Sequence, residues 1–220
     1  MLSIAAPANH SGKTTLACRI AASAPGAWQA LKVSTIYRAG GNCARASECS
    51  HCSCLDLGEA PYAVIADPAV LAQPDSDTGD MVAAGAWPVN WGLARPGHHA
   101  ALWGALAGRL DPRKPVLVEG GQIARVAPIA ARIAVCSPFN QARWKADAWD
   151  LLTSADLVLV NPWHEGRLEP EHPLLTAVVR RLGGRAIVFD VARSAAEWPA
   201  PLARLVDRLL ASTAVAASTS

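Results

Sequence analysis

The amino-terminal stretch limits the possible folds of this chain more than any other part of it. Met1 to Ala6 is a short apolar run that predicts a buried strand, and Leu16 to Ala22 is a helix-forming run. The residues between them are mostly small and end in Ser-Gly-Lys-Thr-Thr. The sequence therefore predicts a strand, a loop of small residues and a helix that begins near Gly12.

This order of elements is typical of phosphate-binding loops, because the N–H groups of the loop and the helix dipole favour an anion at one point. Lys13 is suited to bridge the β- and γ-phosphates of a nucleotide, and the Thr14 hydroxyl to hold Mg²⁺. The usual pattern has Gly five residues before Gly12, where this chain has Pro7, so an ordinary strand–turn–helix is the alternative. The predicted nucleotide-binding residues of the loop are Asn9, His10, Ser11, Gly12, Lys13, Thr14 and Thr15.

Two stretches resemble known families. The run from Ile4 to Thr15 resembles the opening of the cobyrinic acid a,c-diamide synthase and dethiobiotin synthetase group, where Pro or Thr also stands at the first loop position. The run from Asp77 to Ala86, within a looser likeness over residues 1 to 136, resembles the molybdopterin-guanine dinucleotide biosynthesis protein B family. Both belong to the SIMIBI class of P-loop NTPases, which includes nitrogenase iron protein. The resemblance implies Mg²⁺ and ATP or GTP as cofactors. It leaves the oligomeric state open between a monomer and a homodimer, although many members of the class work as dimers.

Three acidic residues are candidates for the metal–nucleotide site. Glu119 ends an apolar run and precedes two glycines, and the resemblance implies that it binds Mg²⁺ through water or orients the attacking water. Asp77 matches an acidic residue near the site in the molybdopterin family, and helix capping is the alternative. Asp67 ends another predicted strand, where it ligates Mg²⁺ or caps the turn that Pro68 starts. The predicted catalytic residues are Lys13, Glu119 and Asp77, and the predicted magnesium ligands are Thr14, Glu119 and Asp67.

Two further residues are candidates for contact with the nucleotide or substrate. Lys32, on the predicted second strand, contacts phosphate or substrate, or is simply solvated. The apolar run that ends at Asn161 corresponds to the strand that ends in Asn-Lys-x-Asp in GTPases of the class, which predicts that Asn161 binds the nucleotide. His164 replaces the Asp that accepts from guanine, and only Glu165 could substitute for it, so ATP is the simpler expectation.

A cysteine-rich loop follows the second predicted strand, over residues 39 to 58. Its four thiols follow the spacing C-x5-C-x2-C-x-C, and thiolates so closely spaced suit a tetrahedral zinc site or an iron–sulfur cluster. His51 is an alternative fourth zinc ligand, and unliganded thiols are the remaining interpretation. The predicted metal ligands are Cys43, Cys49, Cys52 and Cys54.

The rest of the chain predicts one α/β domain over residues 1–211, with a mainly parallel sheet and helices on both faces, followed by a flexible tail at 212–220. Cys18 and Cys136 are expected to be buried as small apolar residues, and His98 and His99 to be solvated at a helix start. A net charge of +2 gives no argument for a nucleic-acid or membrane partner. The absence of a leader pattern predicts a cytoplasmic protein.

Three functions fit the sequence. The first is a Mg²⁺-dependent ATP- or GTP-hydrolysing protein with a zinc or iron–sulfur site, acting on a partner in the maturation of a metalloenzyme or cofactor. The second is an ATP-dependent ligase or kinase of cofactor biosynthesis in which zinc only stabilises the loop. The third is a non-catalytic module that binds nucleotide and docks on a partner.

Overall fold

The computed structural model describes residues 1–36, 57–164 and 166–218. In those ranges, ten strands run in chain order: β1 (Leu2–Ala5), β2 (Gln29–Thr35), β3 (Tyr62–Ile65), β4 (Val89–Ala94), β5 (Val116–Glu119), β6 (Ala131–Cys136), β7 (Leu157–Val160), β8 (Trp163–His164), β9 (Arg167–Leu168) and β10 (Ala186–Val188). Seven α-helices of the same ranges lie between and after them: α1 (Lys13–Ser23), α2 (Pro68–Leu71), α3 (Asp77–Ala83), α4 (His99–Ala107), α5 (Ala148–Thr153), α6 (Pro173–Leu182) and α7 (Ala200–Ser218).

Among the described strands, eight form one sheet in the order β10-β7-β6-β1-β5-β2-β4-β3, and β8 and β9 form a separate hairpin. Seven of the eight run parallel to their neighbours, whereas β3 pairs with β4 in the antiparallel direction. The central strands are buried along their whole length and mostly apolar, as in parallel sheets covered on both sides. The prediction of an α/β fold with a mainly parallel sheet is therefore confirmed.

Alternate residues of the strands pack into different cores, because successive side chains of a strand point to opposite faces. Leu157 and Leu159 of β7 join the core that contains residues of α1, α3 and α7. Val158 and Val160 of the same strand join a core with residues of α5 and α6. A third core, under α4, lies on the other half of that second face. Helices thus cover both faces of the sheet, as predicted.

The carboxyl ends of the seven parallel strands meet at one edge of the sheet, which we call the carboxyl edge. The loop from Pro7 to Gly12 leaves β1 at this edge, and Glu119 lies at the end of β5 on the same edge. Ligands of open α/β sheets bind outside this edge. The fold therefore places the predicted phosphate loop and Glu119 where a ligand would be expected.

The two ends of the Cys-rich segment are also at the carboxyl edge. Thr35 of β2 and Tyr62 of β3 pair with the same residue of β4, Ala94. Just beyond these strands, Ile36 and Leu57 are buried in one cluster with Leu93. The chain thus leaves and re-enters the sheet at the level of Ala94.

The last helix differs from the prediction. The sequence analysis ends the domain at residue 211 and expects a flexible tail at 212–220, whereas α7 continues to Ser218. Among the described residues, no helix combines the length and the apolar character that crossing a membrane requires.

Candidate functional site

The loop before α1 is held by contacts within itself. The buried Ser11 hydroxyl donates to the Ala8 carbonyl at 3.1 Å, and Ala8 itself is buried. His10 and Gly12 adopt positive φ angles of 57° and 98°, which turn the chain sharply into α1. Gly12 is the N-cap and provides no side-chain hydrogen bond to the helix. The first N–H groups of an α-helix have no partner inside the helix, so this helix start is able to receive an anion.

Lys13 is the half-buried first residue of α1, and its Nζ lies 3.5 Å from the carbonyl oxygen of Ala8. Burial lowers the pKa of Lys13 to about 8, an effect that Glu119 and Asp77 partly oppose and that the nearby ammonium groups of Lys32 and Lys145 reinforce. An anion bound at the loop would favour the charged form of this group.

Thr14 lies between two carboxylates. Its hydroxyl oxygen is 3.0 Å from Asp77 Oδ1 and 3.0 Å from Glu119 Oε2. Asp77 comes from the first turn of α3 and Glu119 from the end of β5, so three separate elements bring oxygen atoms to one point. The structure thus brings Thr14, Asp77 and Glu119 together.

Lys32, which points from β2 toward the same point, bridges both carboxylates. Its Nζ contacts Asp77 Oδ2 and lies 2.6 Å from Glu119 Oε1. Burial by itself lowers the pKa of Lys32, but the two carboxylates outweigh it and raise that pKa above its usual value. Burial likewise opposes ionisation of Asp77, but Lys32 and Thr14 together lower the Asp77 pKa below its usual value. The three charges leave one net negative charge beside Thr14.

The oxygen donors fit Mg²⁺, which prefers carboxylate and hydroxyl oxygens and commonly takes only one or two carboxylates from the protein. Within the described parts of the chain, no three His, Cys, Asp or Glu side chains form a group able to hold a metal ion. A magnesium ion at Thr14, Asp77 and Glu119 would therefore take its remaining ligands from water and from a bound phosphate.

The other side of the loop is tied to the end of β7. The Asn161 amide nitrogen donates to the Ser11 carbonyl at 3.1 Å, so the predicted nucleotide-binding Asn161 is linked to the loop. Asn9, His10 and Thr15 are exposed beside it.

Two residues that the sequence did not indicate also contact the loop. The Asn140 side chain donates to the Asn9 carbonyl at 3.0 Å, and the backbone N–H of Lys145 donates to the Pro7 carbonyl at 3.0 Å. Both follow β6, at the carboxyl edge. The one available signal was their position after a parallel strand.

The structure corrects the prediction that Asp67 is a magnesium ligand. Because β3 is antiparallel, its end lies at the edge of the sheet opposite to Thr14. Asp67 caps the short helix α2, and its Oδ1 accepts from the Ala69 N–H at 2.9 Å. The alternative, in which Asp67 caps the turn that begins at Pro68, is the one seen in the structure.

His99 also differs from expectation. It is buried at the start of α4, and its ring lies 2.9 Å from the Thr35 hydroxyl, whereas His98 is exposed as predicted. Burial, with a smaller effect of His98, lowers the pKa of His99, so the neutral ring is favoured in the fold.

The cysteines divide into two groups. The predicted metal ligands Cys43, Cys49, Cys52 and Cys54, with His51, lie outside the described residues. Cys136 is buried as predicted, while Cys18 on α1 is half-buried. Burial raises the pKa of each of these two thiols to about 12, so neither is a thiolate near neutral pH.

Known proteins add nothing to this geometry: the chain matches no protein-family model, and neither a curated protein nor a solved structure matches it.

Proposed function

We propose that this protein binds a Mg²⁺-nucleoside triphosphate at the Pro7–Thr14 loop and hydrolyses its terminal phosphate. The observation that carries the proposal is the position of Thr14. Its hydroxyl lies at the start of α1, next to Lys13, and 3.0 Å from carboxylate oxygens of both Asp77 and Glu119. A cation site directly beside an anion site is what a metal-bound triphosphate requires.

One side of the site would bind the phosphates and the other would bind Mg²⁺. The N–H groups at the start of α1 and the Lys13 ammonium hold the phosphates, and Lys145 adds positive charge on the same side of the loop. Thr14, Asp77 and Glu119 hold Mg²⁺, which neutralises charge on the phosphate oxygens. Glu119 is 2% exposed and fixed at the end of a central strand, so it is the better placed carboxylate to orient the attacking water.

Lys32 balances one of the two carboxylate charges. Because the cluster keeps one net negative charge, a divalent cation is still attracted to it. The role in metalloenzyme or cofactor maturation, and the zinc or iron–sulfur site behind it, remain hypotheses from the Cys-rich segment and the family resemblance.

The test is phosphate release from ATP and from GTP, with Mg²⁺ or with EDTA and no acceptor present. We expect Mg²⁺-dependent release that falls about 100-fold or more in Glu119→Gln, with nucleotide affinity changed only a few-fold. Glu59→Gln, at an exposed glutamate, is the matched control and should keep full activity.

Two results would contradict the proposal, the first its reaction and the second its assignment of Glu119. Tight Mg²⁺-ATP binding without phosphate release would favour the ligase or kinase hypothesis, in which an acceptor is needed. A Glu119→Gln variant as active as the natural protein would remove Glu119 from the mechanism.

A further inference from the structure

Lys32 and Glu119 are direct partners in neighbouring strands. In the parallel pairing of β2 with β5, Lys32 lies opposite Glu119, so the two side chains leave the same face of the sheet. The Lys32 ammonium lies 2.6 Å from Glu119 Oε1 and also contacts Asp77 Oδ2, and the lysine side chain is only 14% exposed. The strand register therefore places an ammonium group between the two carboxylates that are proposed to bind Mg²⁺.

Each of these carboxylates is contacted through both of its oxygen atoms. The Thr14 hydroxyl lies 3.0 Å from Asp77 Oδ1 and from Glu119 Oε2, while Lys32 contacts the other oxygen of each group. A divalent cation beside Thr14 would thus share both carboxylates with the ammonium. The two positive charges would lie within a few ångströms of each other in a partly buried site, where water screens their repulsion poorly.

The charge of the cluster leads to the same conclusion. Two carboxylates alone would match the charge of one divalent cation, whereas the two carboxylates with Lys32 carry only one net negative charge. Lys13, at the start of α1, adds a further positive charge near the same carboxylates. A divalent cation among these groups would leave an excess of positive charge, which the phosphates of a nucleotide at the loop would neutralise.

We propose that Lys32 competes with the divalent cation for Asp77 and Glu119, so that Mg²⁺ binds tightly only together with a triphosphate. The inference rests on the proposed function, because it assumes that Thr14, Asp77 and Glu119 hold the metal. Lys32 acts through the carboxylates and is a positioning residue that makes metal binding depend on the nucleotide. If Lys32 only held the carboxylates in place, its removal would weaken metal binding, whereas competition predicts that its removal strengthens it.

The test is a titration with Mn²⁺, a paramagnetic ion that takes the same oxygen ligands as Mg²⁺, without nucleotide. Electron paramagnetic resonance measures the free ion. Lys32→Met removes the charge and should bind Mn²⁺ at least about tenfold more tightly than the natural protein. Lys32→Arg keeps the charge and should bind it as weakly as the natural protein. Lys114→Met is the matched control, because the Lys114 ammonium donates to the carbonyls of Gly26 and Trp87 at the opposite edge of the sheet.

A double variant shows where the ion binds. Asp77→Asn added to Lys32→Met should abolish the gain in Mn²⁺ affinity, because it removes one of the two carboxylates. A gain that survives this change would place the ion elsewhere and overturn the inference. A folded Lys32→Met variant that binds Mn²⁺ no more tightly than the natural protein would also overturn it, and an equal gain in Lys32→Arg would show that charge is not the cause.

The natural protein provides a second test that needs no variant. Millimolar Mg²⁺ alone should leave its unfolding temperature unchanged, whereas Mg²⁺ with ATP should raise it, because a ligand stabilises the folded state only when it binds. Equal stabilisation by Mg²⁺ with and without ATP would overturn the inference and leave the proposed function standing. Failure of Mg²⁺-ATP to stabilise the protein would contradict the proposed function, and the Mn²⁺ titration would still decide whether Lys32 competes with the metal.

Discussion

The Thr14 hydroxyl has one hydrogen but lies 3.0 Å from two carboxylate oxygens. It can donate to one of them at a time, so the second oxygen contact has no hydrogen of its own. Lys32 compensates by bridging Asp77 and Glu119 from the other side. At the scale of single residues, this shared set of oxygen atoms is the basis of the proposal that a cation binds there.

Lys13 leads to a pH prediction at the same scale. Its pKa of about 8 in the free protein means that it is about half protonated at pH 8. Bound phosphates favour the charged form and raise this pKa, so affinity for Mg²⁺-ATP should fall as the pH rises through 8. Binding at pH 8 should take up about 0.5 proton, measured by calorimetry in two buffers of different ionisation enthalpy.

The same titration at pH 7 is the control, because Lys13 is then about nine-tenths protonated before binding and uptake should fall to about 0.1 proton. Equal uptake at the two pH values would show that Lys13 does not contact the phosphates.

The sequence predicted some site residues better than others. Gly12, Lys13 and Thr14 are found by their local pattern, and Glu119 because it ends an apolar run. Asp77 was found by resemblance alone. Asn140 and Lys145 were missed, because their position after a parallel strand was the one signal that they contact the loop.

Gly12, just before α1, allows the loop to pack closely against the end of β7 and the chain after β10. A Cβ atom added to Gly12 would lie 2.6 Å from Val191 Cγ2 and 3.0 Å from Asn161 Nδ2, at a φ of 98°. Both the backbone conformation and the space around it therefore require glycine. Close approach of the loop to β7 and to the chain after β10 depends on this one residue.

Gly12→Ala should lower the free energy of unfolding by about 3 kcal/mol, from the positive φ and from overpacking against Val191. Gly26→Ala is the matched control: its φ is 77°, but nothing lies within 4 Å of the added Cβ. That variant should lose only about 1 kcal/mol, from the backbone conformation. Urea unfolding curves measure both, and equal losses would exclude the packing contribution.

The strands were predicted more accurately than their directions. The apolar runs that became β1, β5, β6 and β7 are apparent in the sequence, because strands covered on both faces are mostly apolar. Nothing in the residues of β3 shows that it runs antiparallel. The sequence analysis therefore offered Asp67 as a magnesium ligand, whereas β3 ends at the edge of the sheet opposite to Thr14. The β8–β9 hairpin was missed because each strand has only two residues.

The whole molecule leads to a prediction about residues 37–56. Ile36 and Leu57 pack with Leu93 at the carboxyl edge, on either side of β4, so the ends of this segment are two strand spacings apart, roughly 10 Å. Five Gly/Ser residues reach about 17 Å when extended, enough to replace the segment. The shortened protein should unfold cooperatively, with a free energy of unfolding within about 1 kcal/mol of the natural one.

Circular dichroism during urea unfolding measures this stability, and calorimetry with Mg²⁺-ATP shows whether the loop still binds. A full-length variant with Cys43, Cys49, Cys52 and Cys54 replaced by Ser is the control, because it removes the thiols and keeps the segment. Loss of cooperative unfolding in the shortened protein alone would show that the sheet depends on these residues.

The pairing of Thr35 and Tyr62 with the same residue, Ala94, has a consequence for how this chain can vary. The register of the sheet fixes where the chain leaves and where it returns, and sets no length for what lies between. Insertion or exchange of a whole module at this point would leave the strand order unchanged. The sheet and the cysteine-rich segment can therefore be altered by separate mutations, each without rebuilding the other.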